Sequence, residues 1–204
     1  MKIDYDSIHS EILLKSKPYK YLHEQINING VIKIKKTKLD FFAFITKMII
    51  SQQISDNVAE KIWRDYCQML GCKNPNFQKI KIIKNPINNI SKLKISKRKI
   101  NYIISFYNAI KKKNLKITEI IKLNEKDLKY ELCKFKGIGP WTCDMVLIFF
   151  LRRLNIFPEN DLIINKTKQE LFKFNNSKID LKKEFSPYLS VFSLHLWKMS
   201  KRIL

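Results

Sequence analysis

The stretch KFKGIGPWTCDMVLIFFL, residues 134–151, carries the residue types and spacing with the most chemical promise. Gly137 and Gly139 flank Ile138, and Pro140 stands where a helix would begin. Glycine lets a backbone approach another group closely, and proline suits a first helical position because it has no N–H to leave unbonded. N–H groups at the start of that helix, with Lys136 and Thr142 nearby, would make a nest for a phosphate oxygen. Such a contact holds a nucleic acid in place without reading its sequence. Alone, Gly-x-Gly between helices is just as readily a plain turn. Further on, FPENDLIINK (157–166) sets Asp161 in front of an apolar run. An aspartate there ordinarily caps the following helix, and it is also a carboxylate that a reaction could use, with Glu159 as its nearest rival.

The elements that must position these residues read as helices. Residues 7–14 and 19–27 fit two short ones, and 29–38 a polar connector with a turn at Asn29-Gly30. From Asp40, FFAFITKMIISQQ is almost continuously apolar and ends in a polar tip, Ser51, Gln52 and Gln53. Ser55 suits the cap of a helix with Val58, Ile62 and Tyr66 on one face, and Asn74-Pro75 and Asn85-Pro86 break the chain beyond it. Ser96 suits the cap of a helix bearing Ile100, Ile103, Ile104 and Phe106. Lys97, Arg98 and Lys99 in its first turn run against the helix dipole and suggest an external anion. A helix from Asn124, striped by Leu128, Leu132 and Phe135, meets the apolar helix Pro140–Leu151 through a very short hairpin. The last helix follows Ser186-Pro187. About ten helices and negligible sheet are expected.

Among the 204 residues, Lys plus Arg number 40 against 18 Asp plus Glu, a formal charge of +22. Self-repulsion of that size makes a polyanion the default partner, although a composition rich in Lys, Ile and Asn also raises the charge without any function. Cys67, Cys72, Cys133 and Cys143 lack the paired spacing of a zinc site or an iron-sulfur run, which favours free thiols in a reducing compartment. The longest apolar run, Met145–Leu151, falls far short of the roughly 20 residues of a membrane span. The N-terminus carries acids where a signal peptide would be apolar, so a cytoplasmic or nuclear protein that is not secreted is expected.

Residues 132–147, followed by 157–166, resemble the helix-hairpin-helix DNA glycosylase superfamily, with a hairpin and then a catalytic aspartate loop. Within it, IISQQIS (49–55), GIGPWT (137–142) and LHLW (194–197) resemble the DNA-3-methyladenine glycosylase II branch in the right order. The resemblance implies an all-α fold with two helical lobes around a cleft. Lobe 1 would span 37–130, lobe 2 would combine 1–36 with 131–204, and the hairpin motif would occupy 124–151. It implies excision of alkylated purines (3-methyladenine, 7-methylguanine) from double-stranded DNA by base flipping, with Asp161 as the catalytic carboxylate. Trp141, Met145, Trp197 and Tyr188 would line the base pocket, since a cationic purine stacks well on aromatic faces. Met145 stands where some relatives carry an aromatic ring.

The same resemblance gives DNA contacts to Gln53, which would fill the gap left by the extruded base, and to Lys136, Gly137, Ile138, Gly139 and Thr142. The main-chain carbonyls of Cys133, Phe135 and Ile138 would hold a monovalent cation. No other cofactor is implied, no iron-sulfur cluster and no membrane partner, and a monomer is the simplest expectation. Trp141 occupies the position of the lyase lysine, two residues beyond Gly139, which implies a monofunctional hydrolase. The competing readings are a non-catalytic helix-hairpin-helix DNA-binding module and a glycosylase for a different lesion.

Overall fold

A computed structural model describes residues 3–73, 75, 77, 86–175 and 180–204. Among these residues every regular element is helical, as expected of an all-α chain. The chain forms two compact units, Met1–Lys35 with Leu147–Leu204, and Lys36–Val146. The second crossing between units comes after Val146, later than the change of lobe expected at 130. The reason is that both hairpin helices stay with the elements they pack on in the central unit.

The central unit is built on α3 (Phe41–Ser51), whose Phe41 to Thr46, Ile49 and Ile50 are all buried. A helix that is apolar nearly all round has to be surrounded. Here α4 (Asp56–Met69), α6 (Lys97–Lys111) and α9 (Pro140–Met145) surround it. Asp40 starts it, its Oδ1 accepting from the Ala43 N–H at 2.9 Å. Phe42 and Phe106 are stacked with centroids 6.1 Å apart and at most 1% exposed, and full burial of such a side chain is worth about 1.5–3 kcal/mol. On α4 the buried face is Ala59, Ile62, Trp63 and Tyr66, while Val58 is 47% exposed. Ile62 and Tyr66 are buried as expected, and Val58 is not, because the buried face extends towards Ala59 and Trp63 and leaves Val58 at its edge. The short α5 (Pro86–Ser91) and α7 (Ile117–Ile120) complete this unit together with α8 (Glu125–Cys133). Asn74, Asn85 and the turn expected around them lie outside the described residues.

The other unit joins α1 (Tyr5–Ser16) and α2 (Lys20–Asn29) to α10 (Leu162–Asn175), α11 (Leu181–Phe185) and α12 (Leu189–Ile203). Leu22 and Ile26 of α2 are fully buried where that helix packs on α10 and α12. The rings of Phe185 and Phe192 stack at 3.9 Å. The expected helix 140–151 changes winding at Val146, where α9 gives way to a π-turn, Val146–Phe150.

His195 is fully buried on α12 and stacks on His9 at 5.5 Å. Asn29 Nδ2 lies 3.2 Å from its Nδ1 and donates to its carbonyl at 3.0 Å. Burial first, then the neighbouring His9 and Lys198, lowers the His195 pKa from 6.5 to about 3. The fold therefore holds the ring neutral while the unfolded chain protonates it. This stability is fully present above pH 6.5 and is lost as pH falls from 6.5 towards 3, at about 1.4 kcal/mol per pH unit. Urea midpoints between pH 7.5 and 5 should fall accordingly, and a flat profile would contradict the buried neutral ring.

Candidate functional site

The hairpin is assembled from short-range constraints. Asn124 caps α8, its Oδ1 accepting from the Asp127 N–H at 2.9 Å. After Cys133 the chain turns through Phe135 N–H to Leu132 O (3.1 Å) and Ile138 N–H to Phe135 O (3.0 Å). Ile138 is 3% exposed and pins the turn, while Pro140 opens α9. Phe135 lies beyond the helix it was expected to stripe, and its ring meets Phe106 in a T-shaped contact at 5.5 Å. The two glycines have different reasons to be there. Gly137 has φ +88°, and a Cβ on it would lie 2.2 Å from Tyr102 Cδ2, so what approaches closely is this protein's own ring. Around Gly139 a Cβ would meet nothing within 4 Å, which leaves that backbone open to an outside group. Lys136 is exposed.

The polar tip after α3 is fastened to this hairpin within the same unit. Gln52 Nε2 donates to Gly137 O at 2.8 Å and to Thr142 Oγ1 at 3.2 Å. Thr142 is 1% exposed, so its hydroxyl serves this internal contact and does not face solvent as the nest reading required. Lys99 Nζ donates to Ile50 O at 2.9 Å and Gln52 O at 2.6 Å. It satisfies carbonyls that the end of α3 would leave unbonded. Lys99 thus answers the C-terminus of α3 and not an external anion, and burial lowers its pKa, whereas Lys97 and Arg98 in the same turn are exposed. Between these anchors Gln53 is exposed with φ +58°, a conformation costing a non-glycine residue roughly 1–2 kcal/mol. Sequence reasoning missed Gln52, Lys99 and Tyr102, whose partners lie 35 to 90 positions away.

Replacing Lys99 by Met keeps the stem and deletes the donor. Loss of stability by about 1–3 kcal/mol is expected, with weaker duplex binding, and Lys99→Arg should recover part of both. Thermal melting decides it, and a Lys99→Met variant that melts like the wild type would remove the clamp.

Asp161 belongs to the other unit. It is 6% exposed and precedes α10, where its Oδ1 accepts from the Ile164 N–H at 2.9 Å. It is therefore a cap, as the sequence allowed, and also a buried carboxylate at a helix N-terminus, where the dipole favours negative charge. Leu162 and Ile163 beside it are 74% and 43% exposed, an apolar surface next to the carboxylate. Glu159 is exposed and ion-paired with Lys182, so water screens it. Glu159 and Lys182 border a pocket of about 420 Å³ that also includes Phe157, Lys168 and Phe172.

Among the aromatic candidates, Trp197 is half-buried against Phe149, with ring centroids 5.8 Å apart. Tyr188 is half-buried, and its pKa is raised by burial and by Glu11, which also hydrogen-bonds it. Trp141 and Met145 lie on α9 in the central unit. Trp141 is half-buried, whereas Met145 is 4% exposed and offers a ligand little surface. A buried carboxylate that the sequence did not single out, Asp144, pairs with Lys129 at 2.6 Å and ties α9 to α8.

Among the described residues, no group of three or more His, Cys, Asp or Glu is gathered to hold a metal ion, and no helix is long and apolar enough to cross a membrane.

Residues 46–189 match the family model described as HhH-GPD superfamily base excision DNA repair protein. The alkylbase DNA glycosidase-like protein mag2 of Schizosaccharomyces pombe is 30% identical over 164 residues, covering 77% of this chain and 76% of that protein. YfjP of Bacillus subtilis is 35% identical over 89 residues, covering 41% of this chain and 31% of its own length. The S. pombe 3-methyladenine DNA glycosylase Mag1, solved in complex with abasic DNA, superposes with a TM-score of 0.77 at 22% identity. That alignment covers 96% of this chain and 97% of Mag1.

Proposed function

Since the chain belongs to the HhH-GPD superfamily of base excision DNA repair proteins, we propose that it is a monofunctional DNA glycosylase that hydrolyses the N-glycosidic bond of alkylated purines. The observation that carries this reading is Asp161, a carboxylate 6% exposed at the head of α10 with apolar Leu162 and Ile163 next to it. Relatives named for alkylbase and 3-methyladenine removal support the substrate class.

A base inside duplex DNA is out of reach, so the nucleotide leaves the stack first, at a cost of a few kcal/mol that is least for damaged pairs. The exposed, strained Gln53 is suited to fill the gap, held rigid by Lys99 and Gln52. Around Lys136, Gly137, Ile138 and Gly139 the hairpin takes the phosphate, with Thr142 contributing backbone only. By the resemblance, Trp141, Met145, Trp197 and Tyr188 are the residues assigned to the base. A purine alkylated at N3 or N7 is already cationic and departs without a general acid. What remains is to stabilise the oxocarbenium-like sugar while water attacks, and that is the role of Asp161.

Trp141 stands at the lysine position of the bifunctional relatives, so no amine is available there to cut the strand. The carbonyls of Cys133, Phe135 and Ile138 would hold a monovalent cation against the phosphate. Phe135 O accepts one hydrogen bond in the turn, and a carbonyl has two lone pairs, so that oxygen keeps a lone pair an ion could take. Such an ion would supply charge for the phosphate and takes no part in bond cleavage.

The test is incubation with a duplex carrying a single alkylated purine. Free base should appear while the strand stays intact until alkali is added. Strand cleavage without alkali would replace the hydrolase by a lyase, and duplex binding with no base release from any alkylated substrate would leave a DNA-binding module.

A further inference from the structure

The hairpin carries a pair of sulfurs that the proposed chemistry does not use. Cys133 is the last residue of α8 and exposed, while Cys143 lies in the second half of α9 and is fully buried. Their Sγ atoms are 3.7 Å apart, in contact, on the two helices that the hairpin joins. Cys67 and Cys72 are the other thiols, and Cys67 Sγ is instead turned to the Lys73 carbonyl. Cys133 is exposed and Cys143 is buried, so the Cys133 sulfur meets an oxidant first.

We propose that Cys133 and Cys143 are a reversible thiol–disulfide pair, closed by hydroperoxides, that pins α8 to α9 across the hairpin and weakens its hold on DNA. Cys133 sulfur attacks a peroxide oxygen; an S–O bond forms, the O–O bond breaks, and water or the corresponding alcohol leaves. Cys143 sulfur then attacks the sulfenic sulfur; the S–S bond forms, the S–O bond breaks, and the hydroxyl departs with the Cys143 proton as water. The two thiols give up two electrons and the peroxide takes them. Closure brings the sulfurs from 3.7 Å to about 2.0 Å. The change falls where α8 ends, at the residue that leads into the turn, so the turn must adjust. Closure rests on the observed sulfur contact; the effect on DNA rests on the reading of the hairpin as the phosphate-binding element.

The experiment treats the purified chain with hydrogen peroxide, blocks remaining thiols, and maps peptides by mass spectrometry. In parallel, the affinity for undamaged duplex is followed by fluorescence anisotropy. A peptide linked through Cys133 and Cys143 is expected, absent from Cys133→Ser and removed by dithiothreitol. Duplex affinity should fall at least threefold on oxidation, recover on reduction, and stop responding to peroxide in Cys133→Ser. Cys143→Ala should leave Cys133 to form mixed disulfides with added glutathione. Cys133 advancing to sulfinic acid while Cys143 remains alkylatable would overturn the pairing, and a linked peptide with unchanged affinity would overturn the switch. If the reduced protein binds no duplex, the DNA reading fails, while the peptide map still decides the pair.

Discussion

Replacement of Asp161 by Asn is expected to slow release of alkylated purines by about a thousandfold or more with duplex binding retained. The substitution preserves volume and a side-chain oxygen able to accept the capping bond from the Ile164 N–H, so α10 should start as before, and only the charge is removed. At about 4 Å from the developing sugar cation, a carboxylate is worth about 1 kcal/mol in water and about 4 kcal/mol at an effective dielectric near 20. The 6% exposure of Asp161 favours the larger figure, which corresponds to roughly three decades in rate. Single-turnover kinetics with melting curves separates this from misfolding. Turnover within tenfold of wild type by a folded variant would strip Asp161 of the role.

Gly137→Ala is expected to destabilise the central unit by about 2–4 kcal/mol and to lower the melting temperature by roughly 5–15 °C. Two causes add. The backbone there has φ +88°, which a side chain rarely tolerates, and the added Cβ would lie 2.2, 2.5 and 2.8 Å from Cδ2, Cγ and Cβ of Tyr102. Those atoms include the base of the side chain, so rotating the ring away does not relieve the clash, and either α6 or the hairpin must move. Because Gln52 holds the Gly137 carbonyl, the displacement also reaches the tip bearing Gln53, and duplex affinity should fall with stability. Gly139→Ala is the control. With nothing within 4 Å of its Cβ, it should melt nearly normally and affect only binding. Equal melting of Gly137→Ala and wild type would show that the Tyr102 packing does not constrain the turn.

Much of this was legible because it is local. The apolar run from Phe41 could only be a surrounded helix, Ser96 caps as its spacing said it would, the helix expected from Asn124 starts there, Ser55 takes the cap position without a side-chain bond, and Gly137-Ile138-Gly139-Pro140 marked the hairpin. The illegible part depends on pairing across long separations. Nothing in KRK at 97–99 announces that Lys99 reaches back to the carbonyls of Ile50 and Gln52; locally the three cations look alike, and an anion was the natural reading. Thr142 looked like a phosphate ligand because its partner Gln52 is 90 residues away. On α4, Ile62 and Tyr66 take the expected buried positions, but whether Val58 or Trp63 joins them is selected only by packing. For Asp161, the cap could be read from spacing alone, whereas the catalytic role proposed for it rests on a resemblance, since a cap and a catalytic carboxylate share one local pattern.

The most direct test of the central claim sets wild type and Asp161→Asn side by side on methylated DNA containing 3-methyladenine and 7-methylguanine. Moderate salt is needed because affinity for a polyanion falls steeply with ionic strength, and released bases are quantified by chromatography. Release of alkylated purines by the wild type alone, with equal duplex binding by both proteins, is the predicted result. Equal release by both, or none by either while duplex binding persists, would contradict it.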